Sequence, residues 1–331
     1  MRLDEFDKLI PFSCSRSAYV NKIRAEHYLW MHEIRLISTP MEFEIYRTWR
    51  LPEYAGALYH DATKDGLRLG ADLMGWFFPF DDYFDGLNDL RQVQAIVDVM
   101  IDIVHDWPGT MPEIALPMVT AFADIWRRSR GRMSPTWAAR AAENWTEYFT
   151  SYGKEAAARA TSAPITIDQC IAMRRESLAL LPSVDLNEPA TGFEVPARLW
   201  RHPQLQHMLR TTTDGISLMN DVWSADKEAT AGEPFNSVLV LQSATGCSRG
   251  EAINEITCRF GALIGEFIEK EDRLPAVFDE LHLEEAERII ARQYVAHLRN
   301  WFRATYDWYS ATGRYHGNPV LSAESGRELE K

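Results

Sequence analysis

An all-α fold is predicted for this 331-residue sequence by three observations. Helical signals recur from one end to the other. No stretch alternates cleanly between apolar and polar residues with the β-branched content and tight turns that strands need. Several helix starts carry their own capping residues.

Taken in order, the apolar run Leu73 to Phe80 is far shorter than the ~20 residues of a membrane span, and Met1 to Phe12 mixes acidic with apolar residues, unlike a targeting signal. Gly86 marks a break. Ser134-Pro135 reads as an N-cap followed by proline at the first helical position, opening a helix through about Tyr152. Thr166 with Gln169, and Ser248 with Glu251, have capping-box spacing. Pro196, Pro203 and Pro275 sit where helices can begin, and Gly232 and Gly246 mark further breaks. With no repeat and no low-complexity linker, a single domain over residues 1–331 with about ten or more helices is expected, flexible only at its ends, about 1–10 and 318–331.

Hydrophobic residues make up 46% and charged residues 25%, which are globular values. A net charge of -13 opposes nucleic acid, whose phosphates demand a basic face. A phosphate-bearing ligand therefore requires a local reversal of the field, which metal ions held by acidic clusters would supply. Cys14, Cys170, Cys247 and Cys258 are far apart, without zinc spacing or the density of a disulfide scaffold, which fits a reducing cytoplasm.

Two constellations carry chemistry. In Phe77-Phe78-Pro79-Phe80-Asp81-Asp82-Tyr83-Phe84-Asp85, three carboxylates follow an aromatic run. On a helix, Asp81 and Asp85 share a face and can reach one magnesium cluster through oxygen, with Phe77 and Phe78 one turn away. Pro79 points to a kink or a helix start just before the acids. In Asn220-Asp221-Val222-Trp223-Ser224-Ala225-Asp226-Lys227-Glu228, an amide, a hydroxyl and a carboxylate recur at intervals of four. Their oxygens line one helical stripe, a three-point site for another magnesium, with Lys227 beside it to meet an anion.

These residues resemble the signature of class I terpene synthases. Asp81, Asp82 and Asp85 match the DDxxD motif, and Asn220, Ser224 and Glu228 match the NSE motif, NDxxSxxKE in full, at the usual separation. Arg174, 46 residues before Asn220, matches an arginine that senses the diphosphate, and Arg314-Tyr315 resembles the family's RY pair. The resemblance to microbial terpene cyclases runs from about Asp61 to Tyr315.

What the resemblance implies is an isoprenoid synthase bundle of antiparallel helices around an apolar cavity. Asp81 and Asp85 would bind metal, as would Asn220, Ser224 and Glu228, giving three Mg2+ ions with diphosphate bound, or Mn2+ in their place. Arg174, Lys227, Arg314 and Tyr315 would donate hydrogen bonds to the diphosphate, so that Asp81, Asp82, Arg174, Arg314 and Tyr315 form the catalytic set. The leaving diphosphate's growing charge needs such cations, and arginine's planar fork suits phosphate oxygens. The carbocation then needs apolar walls and aromatic faces, to which Phe77, Phe78, Leu178, Trp301 and Trp308 are assigned. Plain core packing is the other reading of the two tryptophans.

One segment departs from the pattern. Relatives often place a glycine at a helix break after the sensing arginine, whereas here Arg174 is followed by Arg175-Glu176-Ser177-Leu178-Ala179-Leu180-Leu181-Pro182. No catalytic base stands out, since His207, His297 and the other histidines occur singly. The expected substrate is farnesyl diphosphate, leading to a sesquiterpene hydrocarbon or alcohol, with geranyl or geranylgeranyl diphosphate as alternatives. Two rivals are a chain-elongating prenyl transferase, which would carry a second DDxxD in place of the NSE residues, and a non-catalytic helical binding protein. A homodimer is the assembly considered.

Overall fold

The computed structural model describes residues 4–85, 87, 89–105, 116–161 and 164–315. Gly86 and the C-terminal stretch 318–331 lie outside them. The described residues form α1 (Asp4–Leu9), α2 (Val20–Glu33), α3 (Pro40–Trp49), α4 (Leu51–Leu58), α5 (Lys64–Asp85), α6 (Leu90–His105), α7 (Pro117–Arg130), α8 (Pro135–Thr161) and α9 (Ile167–Ser177). They continue with α10 (Leu180–Asp185), α11 (Asn187–Thr191), α12 (Ala197–Trp200), α13 (Pro203–Ala231), α14 (Ser237–Thr245), α15 (Arg249–Asp272), α16 (Leu274–Glu280) and α17 (Glu285–Ala311). No strand occurs among them, as the all-α prediction requires.

The capping signals act locally as read. Thr166 and Gln169 close a reciprocal capping box on α9, and Ser248 and Glu251 another on α15. The Ser134 hydroxyl accepts from the Trp137 backbone N–H, and α8 runs past Tyr152 to Thr161. Pro203 begins α13, while Gly232 and Gly246 end α13 and α14 in the left-handed conformation that costs glycine nothing. Pro79 does not start a helix, because α5 is continuous from Lys64 to Asp85 with the proline inside it. Burial outweighs the lost backbone hydrogen bond there, since residues 69–77 of this helix are all buried.

The contacts gather into two compact units. The first comprises Arg16–Ala157, Pro182–Gly192 and Ala311–Lys331. Its central helix is α5, which packs against α2, α4, α7 and α11. Gly66 permits the last of these contacts, because a β-carbon there would lie 1.9 Å from the Ala190 carbonyl oxygen. On α5 the fully buried Asp72 carboxylate meets His27 Nδ1 at 2.8 Å, Arg68 Nε at 2.8 Å and Arg128 Nη1 at 2.9 Å. A carboxyl group in so dry a place needs such partners.

The second unit comprises Met1–Ser15, Ala158–Leu181 and Phe193–Ser310. Its central helix is α13, packed by α9, α14 and α15, and residues 211–225 are buried all around. A helix enclosed on every side needs no amphipathic stripe, and its polar residues must find protein partners. The N-terminal segment packs on this unit. From Asp4 it forms α1, and Phe6 is fully buried with its ring 5.5 Å from that of Trp223 and 4.9 Å from that of Phe260.

Candidate active site

In the first unit the acidic motif occupies the last turn of α5. Asp81, Asp82 and Asp85 are all helical, so Asp81 and Asp85 lie four residues apart on one helix. The side chain of Asp85 is outside the described residues. Tyr152 Oη donates to Asp81 Oδ1 at 3.4 Å and is itself 2.7 Å from Tyr148 Oη. Burial, with the neighbouring Tyr148 and Asp81, pushes the Tyr152 pKa well up, so it remains a phenol donor.

Asp82 has a different occupation. It accepts from Arg314 in bidentate fashion, Nη2 to Oδ1 at 2.8 Å and Nη1 to Oδ2 at 3.1 Å. Burial works against the Arg314 charge, but the adjacent Asp82 carboxylate outweighs it and raises the arginine's pKa above its ordinary value. The buried Nε of Arg314 has no hydrogen-bond acceptor among the described residues, so its N–H is a donor left for a ligand oxygen. Tyr315 follows it in the same turn and is half-buried.

The second unit carries the other cluster. Asn220 Oδ1 accepts a short hydrogen bond from Arg174 Nη2, and its Nδ2 donates to Tyr309 Oη at 2.7 Å. Arg174 Nε donates to Asp221 Oδ1 at 2.9 Å, and its Nη2 lies 3.8 Å from Glu228 Oε1. One amide nitrogen, Asn236 Nδ2, reaches both Ser224 Oγ at 3.4 Å and Glu228 Oε2 at 2.9 Å. The amide, hydroxyl and carboxylate oxygens at intervals of four therefore converge, and the Arg174 guanidinium already sits against two of them. This set is all oxygen, the ligand type a hard divalent cation takes. Asn220 and Ser224 are buried, and the Glu228 side chain is only 16% exposed, so they are not a solvated helix face.

Sequence reasoning missed two members of this cluster. Asp221, quoted within the motif but given no role, is the partner of Arg174; burial raises its pKa, against the opposing effect of the arginine. Asn236 shows in the sequence only an ordinary cap signal, since its Oδ1 accepts from Val238 N at the start of α14.

The helix break after Arg174 exists without a glycine. α9 ends at Ser177, Leu178 is its half-buried cap, and Ala179 takes a left-handed φ of 54° before α10 begins. Lys227 is half-buried on α13. Trp301 and Trp308 are buried in α17. The two phenylalanines face different neighbours: Phe77 stacks on Trp145 at 5.7 Å, whereas Phe78 packs against Trp49 and the Arg314 guanidinium. His297 is buried and His207 pairs with Glu266 at 3.1 Å.

Comparison with known proteins places this arrangement. Residues 72–264 match the family model described as terpene synthase family 2, C-terminal metal binding. The chain is 34% identical over 331 residues to pentalenene synthase of Streptomyces avermitilis, covering 99% of this chain and 98% of that one. It is 33% identical to a farnesyl diphosphate-cyclizing 7-epi-alpha-eudesmol synthase of Streptomyces viridochromogenes, covering 92% and 90% of the two chains. The crystal structure of an α-eudesmol synthase superposes with a TM-score of 0.83 at 31% identity, covering 92% of this chain and 98% of that one.

Proposed function

This chain belongs to terpene synthase family 2, the bacterial class I terpene synthases, and from that premise we propose that it ionises farnesyl diphosphate and closes the cation into a sesquiterpene. As a terpene cyclase it is a metal-dependent lyase. Magnesium is the metal we assign, three ions with diphosphate bound, on the strength of the all-oxygen ligands Asp81, Asp85, Asn220, Ser224 and Glu228. Bound there, magnesium supplies positive charge against the charge that develops on the departing diphosphate.

The chain's own residues do the rest. Arg174, Lys227, Arg314 and Tyr315 donate to diphosphate oxygens, the two arginines being aimed by the Asp221 and Asp82 carboxylates. Phe77, Phe78, Leu178, Trp301 and Trp308 offer apolar surface that keeps water from the cation, and the aromatic faces stabilise its charge. The whole chain acts as one catalytic domain, a reading supported by the discontinuous make-up of both units. No helix among the described residues is long and apolar enough to cross a membrane. Four free thiols suit work in the cytoplasm.

The observation that carries this function is the convergence of Asn220, Ser224 and Glu228 oxygens on the buried helix α13. Farnesyl diphosphate is chosen because the S. viridochromogenes relative is described as cyclizing it. The test is incubation of the purified chain with geranyl, farnesyl and geranylgeranyl diphosphate separately, with and without magnesium, followed by gas chromatography and mass spectrometry of the extract. A magnesium-dependent sesquiterpene from farnesyl diphosphate is expected. A product only from another chain length overturns the substrate assignment, and silence from all three overturns the activity.

A further inference from the structure

The segment that delivers Arg314 is fastened to a place far from it in sequence, the junction of α3 and α4. Thr312 Oγ1 donates to the Trp49 carbonyl at 3.1 Å, and the Gly313 N–H donates to the Thr48 carbonyl at 2.8 Å. Arg50, which ends α3 and begins α4, has a φ of 55°, a left-handed conformation disfavoured for a side chain of this size. Trp49 precedes it and is buried, 1% exposed. Its ring centroid lies 4.6 Å from the guanidinium carbon of Arg314, and that of Phe78 also lies at 4.6 Å. The two rings are inclined at 61° to each other, a corner into which the guanidinium fits.

We infer that Trp49, with Phe78, is a positioning residue for Arg314: the ring corner and the α3–α4 junction hold the guanidinium so that its Nε donor is presented to a ligand oxygen. The division of labour follows from the contacts. Asp82 takes one N–H of Nη1 and one of Nη2, the rings stabilise the charge where water is excluded, and Nε is a guanidinium nitrogen with no acceptor among the described residues. Asp82 alone fixes two nitrogens in a plane but lets the fork swing about the carboxylate. Two aromatic surfaces and two hydrogen bonds to backbone carbonyls remove that freedom, which is the entropy a diphosphate would otherwise have to meet on binding. Phe78, assigned from the sequence to the cavity wall, gains through this contact a part on the diphosphate side of the reaction. Trp49 lies outside the residues matched by the family model and outside every motif read in the sequence.

The inference rests on the reading of Arg314 as a diphosphate donor, and the experiment separates the two. The affinity of inorganic diphosphate, in the presence of magnesium chloride, is measured by isothermal titration calorimetry on the full chain. The set comprises wild type, Trp49→Leu, Trp49→Phe, Arg314→Lys and the double variant Trp49→Leu/Arg314→Lys. Loss of a desolvated cation–π contact predicts roughly three- to thirty-fold weaker binding for Trp49→Leu, while Trp49→Phe stays near wild type. In the double variant the tryptophan effect largely disappears, because Trp49 acts through Arg314. A Trp49→Leu variant that binds as wild type does, or penalties that multiply in the double variant, overturns the inference and leaves the diphosphate reading standing. A wild-type chain that does not bind diphosphate overturns both. Should Trp49→Leu fail to fold, a fluorinated tryptophan placed at position 49 alone weakens the ring's electrostatic face with little change of shape. Binding must then fall, and unchanged affinity overturns the inference.

Discussion

Arg174 Nε donates to Asp221 Oδ1 at 2.9 Å, both groups buried, and the same carboxylate accepts from the Ser237 backbone N–H at 2.8 Å and from its hydroxyl. The arginine matched to diphosphate sensing is thus aimed by the second residue of the metal motif rather than by a separate acid. Local reading of the motif gives Asp221 no role, because its partner lies 47 residues away on another helix.

Asp221→Asn tests that arrangement with nearly unchanged shape. The guanidinium of Arg174 keeps Glu228 at 3.8 Å but loses its closest counter-charge. Removing one partner of a buried pair costs about 3 kcal/mol. Turnover is expected to fall at least about tenfold, as one mispositioned charge-assisted donor implies. Steady-state kinetics and denaturant unfolding check both, and a variant with wild-type turnover would show that Asp221 does not orient Arg174.

Asp185→Asn should change the pH dependence of stability. Asp185 is buried, and that burial raises its pKa to about 6 against the opposing effects of Arg140 and its hydrogen bond from Asn144. A carboxyl whose folded pKa lies above its unfolded value contributes stability that is fully present below about pH 4 and lost as pH rises through about 6. The neutral amide does not carry that loss. The variant is therefore expected to melt higher than wild type at pH 8, by an amount corresponding to about 1–3 kcal/mol, with the advantage fading toward pH 4. Parallel melting curves across the range would refute the assignment.

His282→Gly should stabilise the chain without touching activity. Leu283 N–H bonds the Phe278 carbonyl at 2.9 Å and His282 N–H the Asp279 carbonyl at 3.1 Å, the paired bonds of a Schellman end to α16. The residue in the left-handed position is exposed His282, at a φ of 48°. Glycine relieves that conformation at some entropic cost, for a net gain of about 0.5–1 kcal/mol. A higher midpoint in urea with unchanged kinetics is the expected result; a lower midpoint refutes it.

Gly66→Ala should do the opposite. Its new methyl would lie 1.9 Å from a backbone oxygen, that of Ala190, which cannot swing aside as a side-chain tip can. Separation of α5 from α11 is required, costing about 3 kcal/mol or more. A melting temperature within a degree of wild type would show that this contact is not tight.

How much of this was legible in the sequence follows from the range of each interaction. The capping boxes at Thr166 and Ser248, the proline start of α13 and the four-residue stripe Asn220, Ser224, Glu228 all depend on neighbours within two or three helical turns, so spacing alone places them. The acidic motif was equally legible as a helical face. Of the two readings of Pro79, a kink or a helix start, the second does not hold, because the proline's local penalty is visible in sequence while the burial of residues 69–77 that outweighs it is not. The docking of Phe6 on Trp223 and Phe260 was hidden for the same reason.

The sequence by itself determined that this is an all-helical chain, that two oxygen-rich stripes lie on two of its helices, and which family these motifs resemble, since period and residue chemistry are local properties. Only the tertiary structure decided the partners. It joined Arg314 to Asp82 across 232 residues, seated that arginine against Trp49 and Phe78, and brought Asn236 to Ser224 and Glu228. Such pairings are set by how whole helices pack, and a packed interior admits one arrangement of side chains where the sequence, read alone, allows many.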